Sequence, residues 1–210
     1  MRHRLSWHNA PQALPLGHLL PYTMHPAAAD TPRSETRKPL LILSDSSLGK
    51  VVAEVLQAHD MLIYGFLDKR AALQGQEMYH LPVFDLTQQE ALLGLVPSQC
   101  HAFVALEALA ERMRMVGVVQ AREGLAPVSA IHPHSYISPQ ASHIGQGILL
   151  GAGGSIGPGA VVHNHCFLES QATLAQDVVL HEGAHIGAGT LIGAGAQLGS
   201  QVYIGPGCVV

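Results

Sequence analysis

Four histidines, His163, His165, His181 and His185, lie close together in the sequence, with Asp177 and Glu182 interspersed among them. An imidazole held by a carboxylate is well suited to take a proton near neutral pH, because the carboxylate fixes the tautomer and stabilises the imidazolium that forms. His181 or His185, oriented by Glu182 or Asp177, would fill that role. Histidines from two adjacent subunits could instead act as three neutral zinc ligands around an open coordination position, although their spacing, eighteen and then four, fits this poorly. On a solvent-facing wall each is equally an ordinary hydrated residue.

A second stretch, "SDSSLGKV" (44–51), has the spacing of a phosphate loop, G-x-x-x-x-G-K-[ST]. Ser44 stands where the first glycine belongs and Val51 where a magnesium-binding hydroxyl belongs, so triphosphate chemistry is not expected there. Asp68 ends the strand-like run "MLIYGFLD" (61–68), where a carboxylate can accept a hydrogen bond from a ribose or uracil. An ordinary strand-end aspartate reads the same.

These residues need elements to position them. "LLIL" (40–43), 61–68, "LPVFD" (81–85) and "HAFVAL" (101–106) read as strands, with helices over "KVVAEVLQAH" (50–59), near 87–95 and over 107–117. That alternation predicts a small, Rossmann-like parallel α/β domain over 39–128. Before it, residues 1–38 carry five prolines and little periodic pattern, which predicts a poorly ordered extension.

From residue 129 a period of six takes over. Counting by six from Ile144 lands on an aliphatic residue at each of twelve positions, through Leu150, Ile156, Val162, Leu168, Leu174, Leu180 and Ile186 to Val210. Two residues earlier in each hexad the side chain is mostly small, as at Ala160, Cys166, Ala172, Ala184 and Cys208. One inward aliphatic and one inward small residue per hexad predict a parallel β-helix over 129–210, with three short strands per eighteen-residue coil. Ile131 and Ile137 start an earlier coil shifted by one residue. Residues eighteen apart stack at roughly 4.8 Å, so His163 lies under His181. Cys166 and Cys208 read as packing residues rather than nucleophiles, and Tyr136, Phe167 and Tyr203 as wall residues available to an interface.

Composition narrows the partners. Of 210 residues, 12% are charged and the net charge is −4, so no basic stripe exists to neutralise a nucleic-acid backbone. No apolar run is long enough to span a membrane, and prolines break up the N-terminal apolar stretch before it reaches signal-peptide length. Three cysteines without metal-type spacing fit a reducing cytoplasm.

The repeat, together with "FLDK" (66–69), "AER" (110–112) and "IHPHSYISPQA" (131–141), resembles the hexapeptide-repeat, left-handed β-helix acyltransferases over about residues 39–210. Within them it is similar to the acetyltransferases of sialic acid and of nucleotide-linked amino sugars, the UDP-N-acetylbacillosamine type included. The resemblance implies a homotrimer that binds acetyl-CoA between neighbouring β-helices and a nucleotide-sugar acceptor on the front domain. A wall histidine would act as general base, and a backbone N–H would steady the oxyanion.

Carried over by position, His185 matches the histidine near the acetyl group, and Ala194 and Pro206 fall on the cofactor groove. Ser46 and Gly49 fall in the substrate-binding turn, with Asp68 beyond it. Three departures stand out. Gln176, followed by Asp177, occupies the place of the family's basic histidine, and an amide can position an acceptor but not deprotonate it. In the turn only Gly49 keeps its glycine, and Glu107 and Ala108 replace a later Gly-Asn step. The repeat runs to Val210, short of the coils that complete the family's cofactor groove. The expected activity is therefore acetyl-CoA-dependent acetylation of a sugar amine or hydroxyl, with His181 or His185 replacing the missing base. The alternatives are a non-catalytic binding or scaffolding relative, and a zinc enzyme like the β-helical γ-carbonic anhydrases.

Overall fold

The computed structural model describes residues 38–85, 100–122 and 125–210. Nearly all of the extension expected over 1–38, and the helix expected near 87–95, lie outside them.

The front of the described chain is a six-stranded sheet. Its strands are β1 (Leu40–Ser44), β2 (Ile63–Asp68), β3 (Glu77–Met78), β4 (Leu81–Asp85), β5 (Cys100–Ala105) and β6 (Leu125–Pro127), in the order β3-β4-β2-β1-β5-β6. All pairings are parallel except β3 with β4. Every residue of β1 is buried, as a central strand covered on both faces requires. Helix α1 (Leu48–Gln57) puts Val52, Ala53, Val55 and Leu56 against Leu40, Ile42, Phe66 and Phe103. Helix α2 (Leu109–Gln120) puts Met115, Val116 and Val119 against Leu41, Leu43, Leu67 and Val104 on the opposite face. α1 begins two residues earlier than its sequence pattern suggests, because Ser46 Oγ accepts the Leu48 N–H at 3.1 Å and supports the first turn. β3 and β6, too short or too Pro-rich to show periodicity, were not legible in the sequence.

Beyond β6 the chain makes two-residue strands at every hexad, forming three parallel sheets. The first face stacks Ala130–Ile131, Leu149–Leu150, Phe167–Leu168, His185–Ile186 and Tyr203–Ile204. The second stacks Tyr136–Ile137, Ser155–Ile156, Thr173–Leu174 and Leu191–Ile192, and the third His143–Ile144, Val161–Val162, Val179–Leu180 and Gln197–Leu198. Pairing runs at eighteen residues throughout, except that Ala130 pairs with Leu149 and Tyr136 with Ser155. One extra residue therefore sits between Ile137 and His143. The second residue of each strand points inward, and Ile156, Val162, Leu168, Leu180, Ile186 and Ile192 share one core with Ala160, Cys166, Ala172 and Ala184.

From Ile144 onward each coil corner has a residue in the left-handed region, three positions after the inward aliphatic. Glycine fills most of these corners, but His165 (φ 59°), Gln171 (61°), Asp177 (58°) and Gln201 (56°) also adopt it. Asp177 is thus a corner residue as well as a candidate for chemistry.

The first face meets the sheet domain. Phe167 stacks on Phe103 with centroids 5.7 Å apart and is 1% exposed, so it packs within the chain rather than waiting at an outer wall as its sequence position suggested. Cys166 is a packing residue as expected, its thiol pushed up to about 12 by burial. Cys208 differs: it is exposed.

Candidate functional site

β1 delivers the turn Ser44–Ser47 to one end of the sheet, where α1 begins and where Glu107 follows β5. Gly49 makes the tight start of α1 possible: a Cβ there would lie 2.3 Å from Ser44 Oγ. Opposite the turn stands the first face of the β-helix, and between them opens a cleft of about 180 Å³. Ser46, Ser47, Leu48 and Glu107 line it from the sheet side, and Leu149, Gly151, Glu169, Ser170 and Ala188 from the coil side.

The coil wall of this cleft carries a carboxylate–imidazole pair. His185 Nε2 lies 2.8 Å from Glu169 Oε1, and Glu169 Oε2 accepts the Ala188 N–H at 3.1 Å. The His185 ring is wedged edge-on between Phe167 and Tyr203, at 5.6 and 5.1 Å. Burial pushes the His185 pKa below its ordinary value, and Glu169 offsets that only in part. The imidazole is therefore neutral near pH 7, donating Nε2–H to the carboxylate. His185 is buried while the Glu169 side chain is 30% exposed, so the group offered to the cleft is the carboxylate.

Behind the pair lies Arg112 from α2. It is 0% exposed, its Cζ sits 3.9 Å from the centroid of the Phe167 ring, and its Nη2 donates to Gly183 O at 2.7 Å. Nε and Nη1 have no protein partner. Burial without a carboxylate lowers its pKa to about 10, and its charge adds to the depression of both His185 and His165.

The other sequence-derived candidates lie elsewhere. Gln176 and Asp177 are exposed on the corner between the second and third faces, and His181 is exposed on the corner between the third and the first. His163 and His181 stack as the eighteen-residue spacing requires, with centroids 5.2 Å apart and planes 6° off parallel. His165 is buried, with Gln120 Nε2 3.1 Å from its Nε2. Ala194 and Pro206 are exposed on later turns. No set of three or more His, Cys, Asp or Glu side chains among the described residues is grouped to hold a metal ion. Asp68 is fully buried, and Arg70 holds both its oxygens, from Nη2 at 2.6 Å and Nε at 2.9 Å. What Asp68 fixes is Arg70, which reaches on to Ser46 O at 3.1 Å.

The carboxylate that orients a histidine is thus Glu169, rather than the expected Asp177 or Glu182. Glu169, Glu107 and Arg112 were missed as site residues. For Glu169 a signal existed: written in rows of eighteen, the sequence puts it two columns from the one shared by Phe167 and His185. Glu107 and Arg112 reach the site through the sheet packing, which no local pattern reports.

No protein-family model matches the chain, and no curated protein matches it. Fourteen chains of solved structures do. The acetyltransferase domain of PglB from Neisseria gonorrhoeae FA1090 is 27% identical, with a TM-score of 0.62 over 82% of this chain and 91% of that one. The same domain in complex with acetyl coenzyme A is 28% identical, with a TM-score of 0.60 over 83% and 93%. PerB from Caulobacter crescentus, in complex with CoA and GDP-perosamine, is 25% identical, with a TM-score of 0.62 over 83% and 89%. The chain is therefore similar, along most of its length, to acetyltransferases whose structures hold CoA or acetyl-CoA.

Proposed function

We propose that the protein is an acetyl-CoA-dependent acetyltransferase acting on an amine or hydroxyl of a sugar. The observation that carries this reading is the likeness to the acetyl-CoA-bound PglB domain, which spans both the sheet and the coils. In this reading residues 39–128 form a Rossmann-like acceptor domain and 129–210 a left-handed β-helix. Three copies assemble in the cytoplasm, with acetyl-CoA lying between neighbouring helices near His185, Ala194 and Pro206.

In the reaction the acceptor's lone pair attacks the thioester carbonyl, the C–S bond breaks with its electrons going to sulfur, and the acceptor's proton must leave. Glu169, backed by neutral His185, is the proton acceptor on the cleft wall, and the proton passes finally to the CoA thiolate. Gln176, Asp177 and His181, on the outer corners, stand where an adjacent copy would meet them. Gln176 favours one second reading, a non-catalytic relative that binds without turnover.

Calorimetry with acetyl-CoA, followed by an acetyl-transfer assay on amino-sugar acceptors, separates these readings. Binding and transfer are expected. Acetyl-CoA binding without transfer to any sugar would support the non-catalytic relative, and the absence of both would reject the acetyltransferase.

A further inference from the structure

Turns that hold phosphates do so with free backbone N–H groups, usually helped by a cation. Here two N–H groups of the turn after β1 are already taken. Ser46 Oγ accepts the Leu48 N–H at 3.1 Å, Ser44 Oγ takes the Ser46 N–H at 3.5 Å, and Asp45 Oδ1 reaches over to accept the Glu107 N–H at 3.1 Å. The flanking cations are engaged as well. Lys69 Nζ lies 3.0 Å from Asp45 Oδ2, and Arg70 is clamped on Asp68. The Ser46 and Leu48 donors are thus taken by side-chain oxygens, and Asp45 is the chain's own anion beside them.

The cleft beside the turn presents the reverse chemistry. Its polar lining comprises Glu107 and Glu169 with the hydroxyls of Ser46, Ser47 and Ser170, and no Lys or Arg lines it. Both oxygens of Glu169 are anchored, by His185 and by the Ala188 N–H, which aims the carboxylate.

We propose that this cleft takes an acceptor bearing an amine and no phosphate, a free amino sugar whose hydroxyls meet the serines and whose nitrogen sits between Glu107 and Glu169, arriving as an ammonium and giving one proton through Glu169 to water before its freed lone pair attacks. The proposal rests on the acetyltransferase reading and narrows its substrate class. A diphosphate placed here would face two carboxylates and no lining cation.

The test uses the full chain with acetyl-CoA and two acceptors that differ in the nucleotide, perosamine and GDP-perosamine, with glucosamine and UDP-glucosamine as a second pair. At least a tenfold higher kcat/KM for a free amine over its nucleotide-linked partner is expected, and calorimetry is expected to detect the free amines but neither GDP nor UDP. E107Q should lower kcat/KM for the free amine about tenfold or more. The paired change D45A with S46G, which frees the Glu107 and Leu48 N–H groups, should gain GDP or UDP binding. Preference for the nucleotide-linked acceptor, GDP or UDP binding by the unaltered protein, or no binding of any of these ligands overturns the proposal while leaving acetyl-CoA binding and transfer to be judged separately. Free-amine binding without any acetyl transfer would support the ligand class and remove the acetyltransferase reading instead.

Discussion

Glu169 and His185 are distant in sequence and joined in space because one coil of the helix lies between them. The pair reverses the arrangement expected of a wall histidine: the imidazole is buried and the carboxylate meets the cleft. E169Q keeps the side chain's shape and an acceptor oxygen while removing its basicity. It is expected to lower acetyl transfer about 10²-fold, with acetyl-CoA binding retained; a variant of undiminished activity would take Glu169 out of the proton path. His165 and His185 also make stability depend on pH. Burial depresses both pKa values from 6.5, so each ring binds fewer protons folded than unfolded. Their stabilisation is complete above that ordinary value and is lost as the pH falls from it towards each depressed pKa. The urea midpoint is therefore expected to drop between about pH 7 and about pH 5, and H185Q should reduce that drop.

The elements depend on a few close approaches that are testable singly. A Cβ at position 49 meets Ser44 Oγ at 2.3 Å, so Gly49→Ala should push α1 away from β1 and destabilise the fold by about 1–3 kcal/mol. Ser44→Ala in the same chain should recover part of that loss, and a double-mutant cycle on denaturant midpoints would read the coupling. Equal losses with and without Ser44 would show that the approach is not what limits position 49. The sheet strands were legible because "LLIL" and "HAFVAL" are apolar runs of strand length, and the coils because both inward positions recur without a break. β3 escaped notice because two residues carry no period. The partnership of Glu169 with His185 was hidden for a different reason: the coil geometry sets it across sixteen positions, and Phe167, whose ring helps to fix His185, owes its burial to Phe103 on the sheet. Pairings made by stacking can be read from a periodic sequence once its rows are aligned. Those made by docking α2 and its Arg112 against the coils cannot.

At the scale of the molecule, the sheet domain covers the first face of the coils around Leu149 and Phe167, and Tyr203 on the same face stays exposed. Tyr136 and Leu191, on the second face, remain 46% and 41% exposed. Such apolar wall suits contact with further copies, and light scattering is expected to give three times the 22.2 kDa of one chain. L191E should shift that mass towards one chain without loss of β-sheet content, whereas an unaltered trimer would place the contact elsewhere. The single extra residue between Ile137 and His143 has a wider meaning. The stack tolerates it because it falls in a corner, before the regular pairing begins, and later strands lock every position to the one eighteen before it. Above that point the molecule can change length only in quanta. A gain or loss of eighteen residues would return every side chain to its own face, and six would carry the His185 column round to a face the sheet domain does not touch. Three would turn the oily interior outward. Drift in the length of this chain is therefore confined to whole coils or to its corners, and any relative of different length should differ by one or the other.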